Sequence, residues 1–164
     1  MLELFKRKAK KECEIPLPLA EKRVASEKKE GKVRITIIDY DEAKLQEEEA
    51  NSVEDCIPFK QKPTVTWIKV DGIHQPEIIN RLGALFDIHP LILEDIVSTQ
   101  QRPKIEDFGD YIFIVLKMFY YNEANNEITA EQFSLIFSRN FVITFEEIGG
   151  DVFNLVRGRI KNEK

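Results

Sequence analysis

The sequence predicts an α/β protein: a three-layer α/β/α sandwich around a mixed sheet that is largely antiparallel in its C-terminal half. Three observations carry that expectation. The alternating, β-branched segments VRITIID (residues 33–39) and TVTWIKV (residues 64–70) read as strands. Between Gln75 and Ser98 apolar residues recur at helical spacing. Residues 111–121 are apolar at both sets of alternate positions, Phe113, Val115 and Phe119 against Ile112, Ile114, Leu116 and Met118. A strand apolar on both faces needs cover on both, so helices should flank the sheet.

The elements follow in order. Residues 1–32 are rich in Lys and Glu, carry Pro16 and Pro18, and lack sustained periodicity, which predicts a flexible charged tail. Its cluster Lys6, Arg7, Lys8, Lys10 and Lys11 beside Leu2, Leu4 and Phe5 suits either an anionic membrane surface or plain solvation. The ordered domain is expected over residues 33–164. After the first strand, residues 41–50 contain strong helix formers and predict a surface helix, with Glu47–Glu49 as its solvated face. A loop with Pro58 and Pro63 leads to the second strand, which the Asp71-Gly72 turn ends.

Residues 75–86 form the clearest amphipathic helix, with Pro76 at its first position and Ile78, Ile79, Leu82, Leu85 and Phe86 in one stripe. Glu77 and Arg81 are spaced to pair along its wet side. A shorter helix runs from Pro90 to about Ser98, entered through His89 and stopped by Arg102-Pro103. A meander of strands follows over residues 104–108, 111–121, 127–137 and 141–145. Gly149-Gly150 precedes Asp151, a good N-cap, and Val152, Phe153, Val156 and Ile160 begin an apolar stripe. That stripe is cut short at Lys164, as in a fragment of something longer.

Composition narrows the function classes. The net charge of −5 is uneven: residues 1–32 carry +4 and the remainder −9. An acidic folded part repels nucleic acid and attracts cations or basic partners. Cys13 and Cys56 lie far apart and outside any zinc or disulfide spacing, which suits reduced thiols in a cytosolic compartment. No apolar stretch reads as a signal peptide or a membrane-spanning helix, so the chain is expected to be soluble. His74 and His89, the two histidines, have no nucleophile in triad spacing, and no phosphate-cradling Gly loop is present. The sequence therefore does not predict an enzyme, nor a small-molecule substrate.

One feature bears chemistry. On a helical wheel Ile92, Leu93, Ile96 and Val97 cover one side of the short helix, leaving Glu94, Asp95 and Ser98 on the other. Two carboxylates and a hydroxyl suit a hard cation such as Mg²⁺ or Ca²⁺, although spacing alone favours a solvated face or cap. Glu106, Asp107 and Asp110 around Gly109 lack an EF-hand spacing and read as a turn.

The segments PTVTWIKVDGIH, FDIHPLILEDIVSTQQRPKIEDFGDYIFIVLKMF and EQFSLIFSRNFVITFEEIGGDVFNLVRGRI resemble the cytosolic N-terminal domain of CorA-type magnesium/cobalt transport proteins. The resemblance implies an α/β/α sandwich on the cytoplasmic face of the cell membrane, leading into a stalk, a transmembrane region and a pentameric pore, all absent from this chain. It implies a Mg²⁺-sensing regulatory role, with Co²⁺ as another transported ion. Asp95 would be the principal ligand and Glu94 would contribute to an adjoining site, both facing a neighbouring protomer. A related zinc, cobalt or nickel transporter, or a free-standing metal-binding module, are the alternatives. The isolated chain is expected to be a monomer or weak dimer.

Overall fold

A computed structural model describes residues 31–123, 125–149 and 152–162. It contains β1 (Arg34–Tyr40), β2 (Leu45–Ala50), a 3-10 helix (Val53–Phe59), β3 (Val65–Asp71), α1 (Pro76–Leu85), α2 (Pro90–Val97), β4 (Lys104–Asp107), β5 (Tyr111–Asn122), β6 (Glu127–Ser138), β7 (Phe141–Glu146) and α3 (Asn154–Asn162). The strands form one mixed sheet in the order β2-β1-β3-β7-β6-β5-β4. Among the described strands only β3 and β7 pair in parallel, so the meander β4 to β7 and the β1–β2–β3 group are separate antiparallel units joined at that seam.

The predicted α/β class therefore holds, with two segments misassigned: residues 53–59, expected within a loop, form the 3-10 helix, and residues 41–50 differ more. Residues 41–50 are not a surface helix. Asp41 Oδ1 accepts hydrogen bonds from the amides of Ala43 (2.7 Å) and Lys44 (2.8 Å), turning the chain so that β2 pairs antiparallel with β1. Helix propensity is a weak preference, and a ten-residue helix without a packed face is marginal in water, whereas the free edge of β1 offers a full ladder. The Glu-rich composition has a different use: charges on an edge strand discourage further pairing.

One face of the sheet carries α1, α2 and the 3-10 helix. Ile37, Ile68, Phe113, Ile136 and Ile143 from the sheet meet Ile79, Leu82, Ile92 and Ile96 from the helices, all but fully buried. Burying an aliphatic side chain of this size contributes about 1.5–3 kcal/mol. Gly83 lets α1 and α2 approach closely, since a Cβ there would lie 2.4 Å from Leu93 Cδ1. Arg81 pairs with Glu54 of the 3-10 helix, so the cation expected to bridge along α1 instead ties two elements together.

The second face is covered mainly at the β1–β3–β7 seam. The Phe153 ring packs against Trp67 (6.2 Å) and Phe133 (5.0 Å), and Arg157 and Lys161 of α3 pair with Glu47. Beneath them, Lys69 Nζ lies 2.6 Å from Asp71 Oδ1 and 3.6 Å from Glu146 Oε1, and Arg34 Nη2 lies 2.8 Å from Asp71 Oδ2. The Lys69, Asp71 and Glu146 side chains are almost fully buried, so each needs the others to offset its lost hydration. Over β5, Tyr111, Phe113 and Val115 are buried on the helix side, while Ile112 and Ile114 on the other side are half-buried and Leu116 is exposed. Residues 1–30 and Asp151, the expected tail and N-cap, lie outside the described residues.

Candidate metal-facing site on the second helix

The site is built on α2. Pro90 presets the first turn, and His89 caps it: its Nδ1 accepts a hydrogen bond from the Leu91 amide at 3.2 Å. The His89 amide in turn donates to Tyr111 Oη at 2.9 Å, fixing the helix start to β5. Ile92, Leu93 and Ile96 bury the inner face, which sends Glu94 to the exposed side. Asp95 sits at the boundary, half-buried, and faces β4.

The far end of α2 is anchored by β6. The buried Gln132 amide donates from Nε2 to the carbonyls of Asp95 (2.9 Å) and Ile96 (3.4 Å), two of the carbonyls a helix end leaves without intrahelical partners. Its Oε1 accepts from the Gln101 amide at 3.3 Å, and Lys117 Nζ donates to the Thr99 carbonyl at 2.7 Å. Helix and following loop are thus held from inside, and the backbone under the two acids is fixed.

The Asp95 carboxylate already holds a cation. Lys104 Nζ lies 2.6 Å from Asp95 Oδ2 and 3.0 Å from Glu106 Oε2. Alternation along β4 puts Lys104 and Glu106 on the face turned toward α2, opposite Val115 and Phe113, and sends Ile105 the other way. The hydrogen bond to Asp95 holds the Lys104 ammonium above its usual pKa, outweighing the opposing effect of burial. Raised above its unfolded value, this group contributes stability that is complete below the ordinary lysine range and is lost as pH rises through the folded value.

The two predicted ligands thus share one helix but not one environment. Glu94 is open to solvent, whereas Asp95 is inside an Asp–Lys–Glu chain. Among the described residues no group of three or more His, Cys, Asp or Glu side chains is placed to hold a metal ion. The donors fit a hard cation in kind, being carboxylate oxygens on a rigid, partly exposed helix. In number they make part of a coordination shell. Glu106, assigned from sequence to the turn acids, belongs instead with Lys104. The turn itself is present, with Gly109 at φ +83° and Asp107 Oδ1 accepting from its amide at 2.8 Å.

Comparison with solved structures gives the class. The soluble domain of CorA from Methanocaldococcus jannaschii matches with a TM-score of 0.53 at 18% identity, over 79% of this chain and 47% of that one. The cytoplasmic domain of ZntB from Vibrio parahaemolyticus matches with a TM-score of 0.59 at 13% identity, over 80% and 50%. At these identities the likeness is one of fold: the chain shares the α/β architecture of those two domains.

The family follows from sequence. A family model described as CorA-like Mg²⁺ transporter protein matches residues 62–164. The cobalt/magnesium transport protein CorA of Thermotoga maritima is 46% identical over 127 residues, covering 77% of this chain and 36% of the relative. The chain belongs to the CorA-like Mg²⁺ transporter family, and it spans about a third of the length of that relative. Among the described residues no helix is long and apolar enough to cross a membrane.

Proposed function

We propose that this chain is the cation-sensing cytoplasmic domain of a CorA-type Mg²⁺ transporter, with Asp95 the principal regulatory ligand and Glu94 contributing to an adjoining site. The observation that carries the proposal is the presentation of Asp95. Its helix is pinned at both ends, its backbone is fixed by Gln132, and its carboxylate sits at the surface boundary already engaged with a positive charge. Membership of a family described by Mg²⁺ transport supports the choice of ion. Two oxygen ligands on one chain suit a contact that a neighbouring subunit completes.

The physics of such a contact is direct. Acidic faces brought together at a subunit boundary repel, and a bound divalent cation supplies the charge that lets them approach. Glu94 and Asp95 would hold the closed, symmetric arrangement of a pentamer while cytosolic Mg²⁺ is high, and their mutual repulsion with the neighbour would loosen it when Mg²⁺ falls. Few protein ligands and retained waters imply weak binding, which a sensor of an abundant ion requires.

The test is Mg²⁺ transport by the full-length protein carrying Asp95→Lys. A fixed ammonium in place of a bound ion should make closure less dependent on cytosolic Mg²⁺. Transport with unaltered Mg²⁺ dependence would remove Asp95 from the sensor.

A further inference from the structure

We infer that Lys104 is a tethered counter-ion that competes with divalent cations for Asp95 and so sets the Mg²⁺ concentration at which the site fills. The inference rests on the reading of Asp95 as a cation ligand and adds the residue that tunes it.

Three observations converge. Lys104 Nζ is 2.6 Å from Asp95 Oδ2, so an incoming cation meets a carboxylate already neutralised. Lys104 also lies 3.0 Å from Glu106 Oε2, two residues along the same strand face, so it has a second carboxylate to turn to when Asp95 is taken. The side chains remain accessible: Lys104 is 28% exposed, Asp95 24% and Glu106 43%, so exchange needs no unfolding.

The backbone on both sides of the exchange is fixed, Asp95 through Gln132 and Lys104 through the β4–β5 ladder. Only side-chain torsions move. An ion pair exposed to this degree is worth little in net stability, so it can be displaced, yet its charge opposes a divalent ion directly. An ammonium is a compact point charge on a flexible stem, and here the stem is long enough to serve either acid.

The experiment is a MgCl₂ titration of the full-length protein, in which a neighbouring subunit can complete the site, followed by methyl NMR shifts of Ile92 and Ile96, with thermal midpoints recorded for each variant. Lys104→Gln should lower the half-saturating Mg²⁺ concentration by about three- to fivefold, the upper part of the range expected for releasing a partly exposed ion pair. Lys104→Arg keeps the charge and should stay near the parent value. Arg139→Gln removes a positive charge from the exposed turn before β7, seven residues or roughly 20 Å along β6 from the Gln132 that touches Asp95, and should leave the midpoint within about twofold because that exceeds a Debye length.

An unchanged midpoint in Lys104→Gln overturns the counter-ion role while leaving Asp95 as a ligand, provided Asp95→Asn abolishes the shifts. An equal gain in Arg139→Gln overturns it too, because net charge would then be the cause. Shifts that survive Asp95→Asn overturn the ligand reading, and the inference with it. Absence of shifts in both the parent and Lys104→Gln does the same.

Discussion

Gln132 Nε2 lies 2.9 Å from the main-chain oxygen of Asp95, joining the middle of β6 to the last turn of α2. The residue that positions the acid pair is thus 37 positions away in the chain and almost fully buried. It reaches the Asp95 and Ile96 carbonyls with one nitrogen and receives the Gln101 amide on its oxygen, so it spans the end of the helix and the loop beyond.

Gln132→Ala should therefore cost about 1–3 kcal/mol, the range for stranding buried polar groups. Hydrogen exchange should locate the damage: amides of the last turn of α2 and of Gln101 exchange faster, while those of β1 and β3 keep their protection. A uniform acceleration across the sheet would mean that Gln132 serves global packing instead.

Asp39 gives a pH signature. Burial alone would raise its pKa, but hydrogen bonds from Thr64 (2.7 Å), Thr66 (2.7 Å) and Lys62 (3.2 Å) more than offset it and hold the carboxyl below its usual value. A depressed folded pKa contributes stability that is present above the unfolded value and lost as pH falls through the folded one. The stability gap between the parent and Asp39→Asn should be constant near neutrality and shrink below pH about 4. Denaturant unfolding across that range checks it, and a gap independent of pH would contradict it.

Cys56 is fully buried in the 3-10 helix, and desolvation pushes its thiol up to about 12. In a Cys13→Ser background the remaining thiol should react with Ellman's reagent at pH 8 only as fast as the protein opens. Reaction should accelerate with denaturant in step with unfolding. Because the thiol pKa is raised on folding, this group's contribution to stability is intact below the ordinary thiol range and declines between about pH 9 and 12. Rapid labelling of the folded chain would contradict the buried assignment.

Much of this fold is legible in the sequence, for identifiable reasons. Ile92, Leu93 and Ile96 at helical spacing are enough to place Glu94 outward, and residues 111–121 announce a strand with two apolar faces. Residues 41–50 are not legible, because their Glu-rich composition favours helix locally and the free edge of β1 that captures them is a tertiary fact. The same limit applies at the site. Glu94 and Asp95 stand out as adjacent acids, but Lys104 becomes a partner of Asp95 only once α2 lies beside β4. The signal available is alternation: Lys104 and Glu106 on one side of a strand and Ile105 on the other. Gln132 carries no signal, since a polar residue in a strand reads as surface until the helix above it is placed.

Whether Asp95 ligates a divalent cation at a subunit contact is decided by anomalous diffraction from crystals of the full-length protein grown with Co²⁺. A Co²⁺ peak is expected between adjacent protomers at about 2–2.2 Å from an Asp95 carboxylate oxygen, or one water layer further, with Lys104 turned to Glu106. The peak should vanish in Asp95→Asn. Crystals with Co²⁺ bound elsewhere, no peak near Asp95, and Lys104 still paired to it would contradict that role.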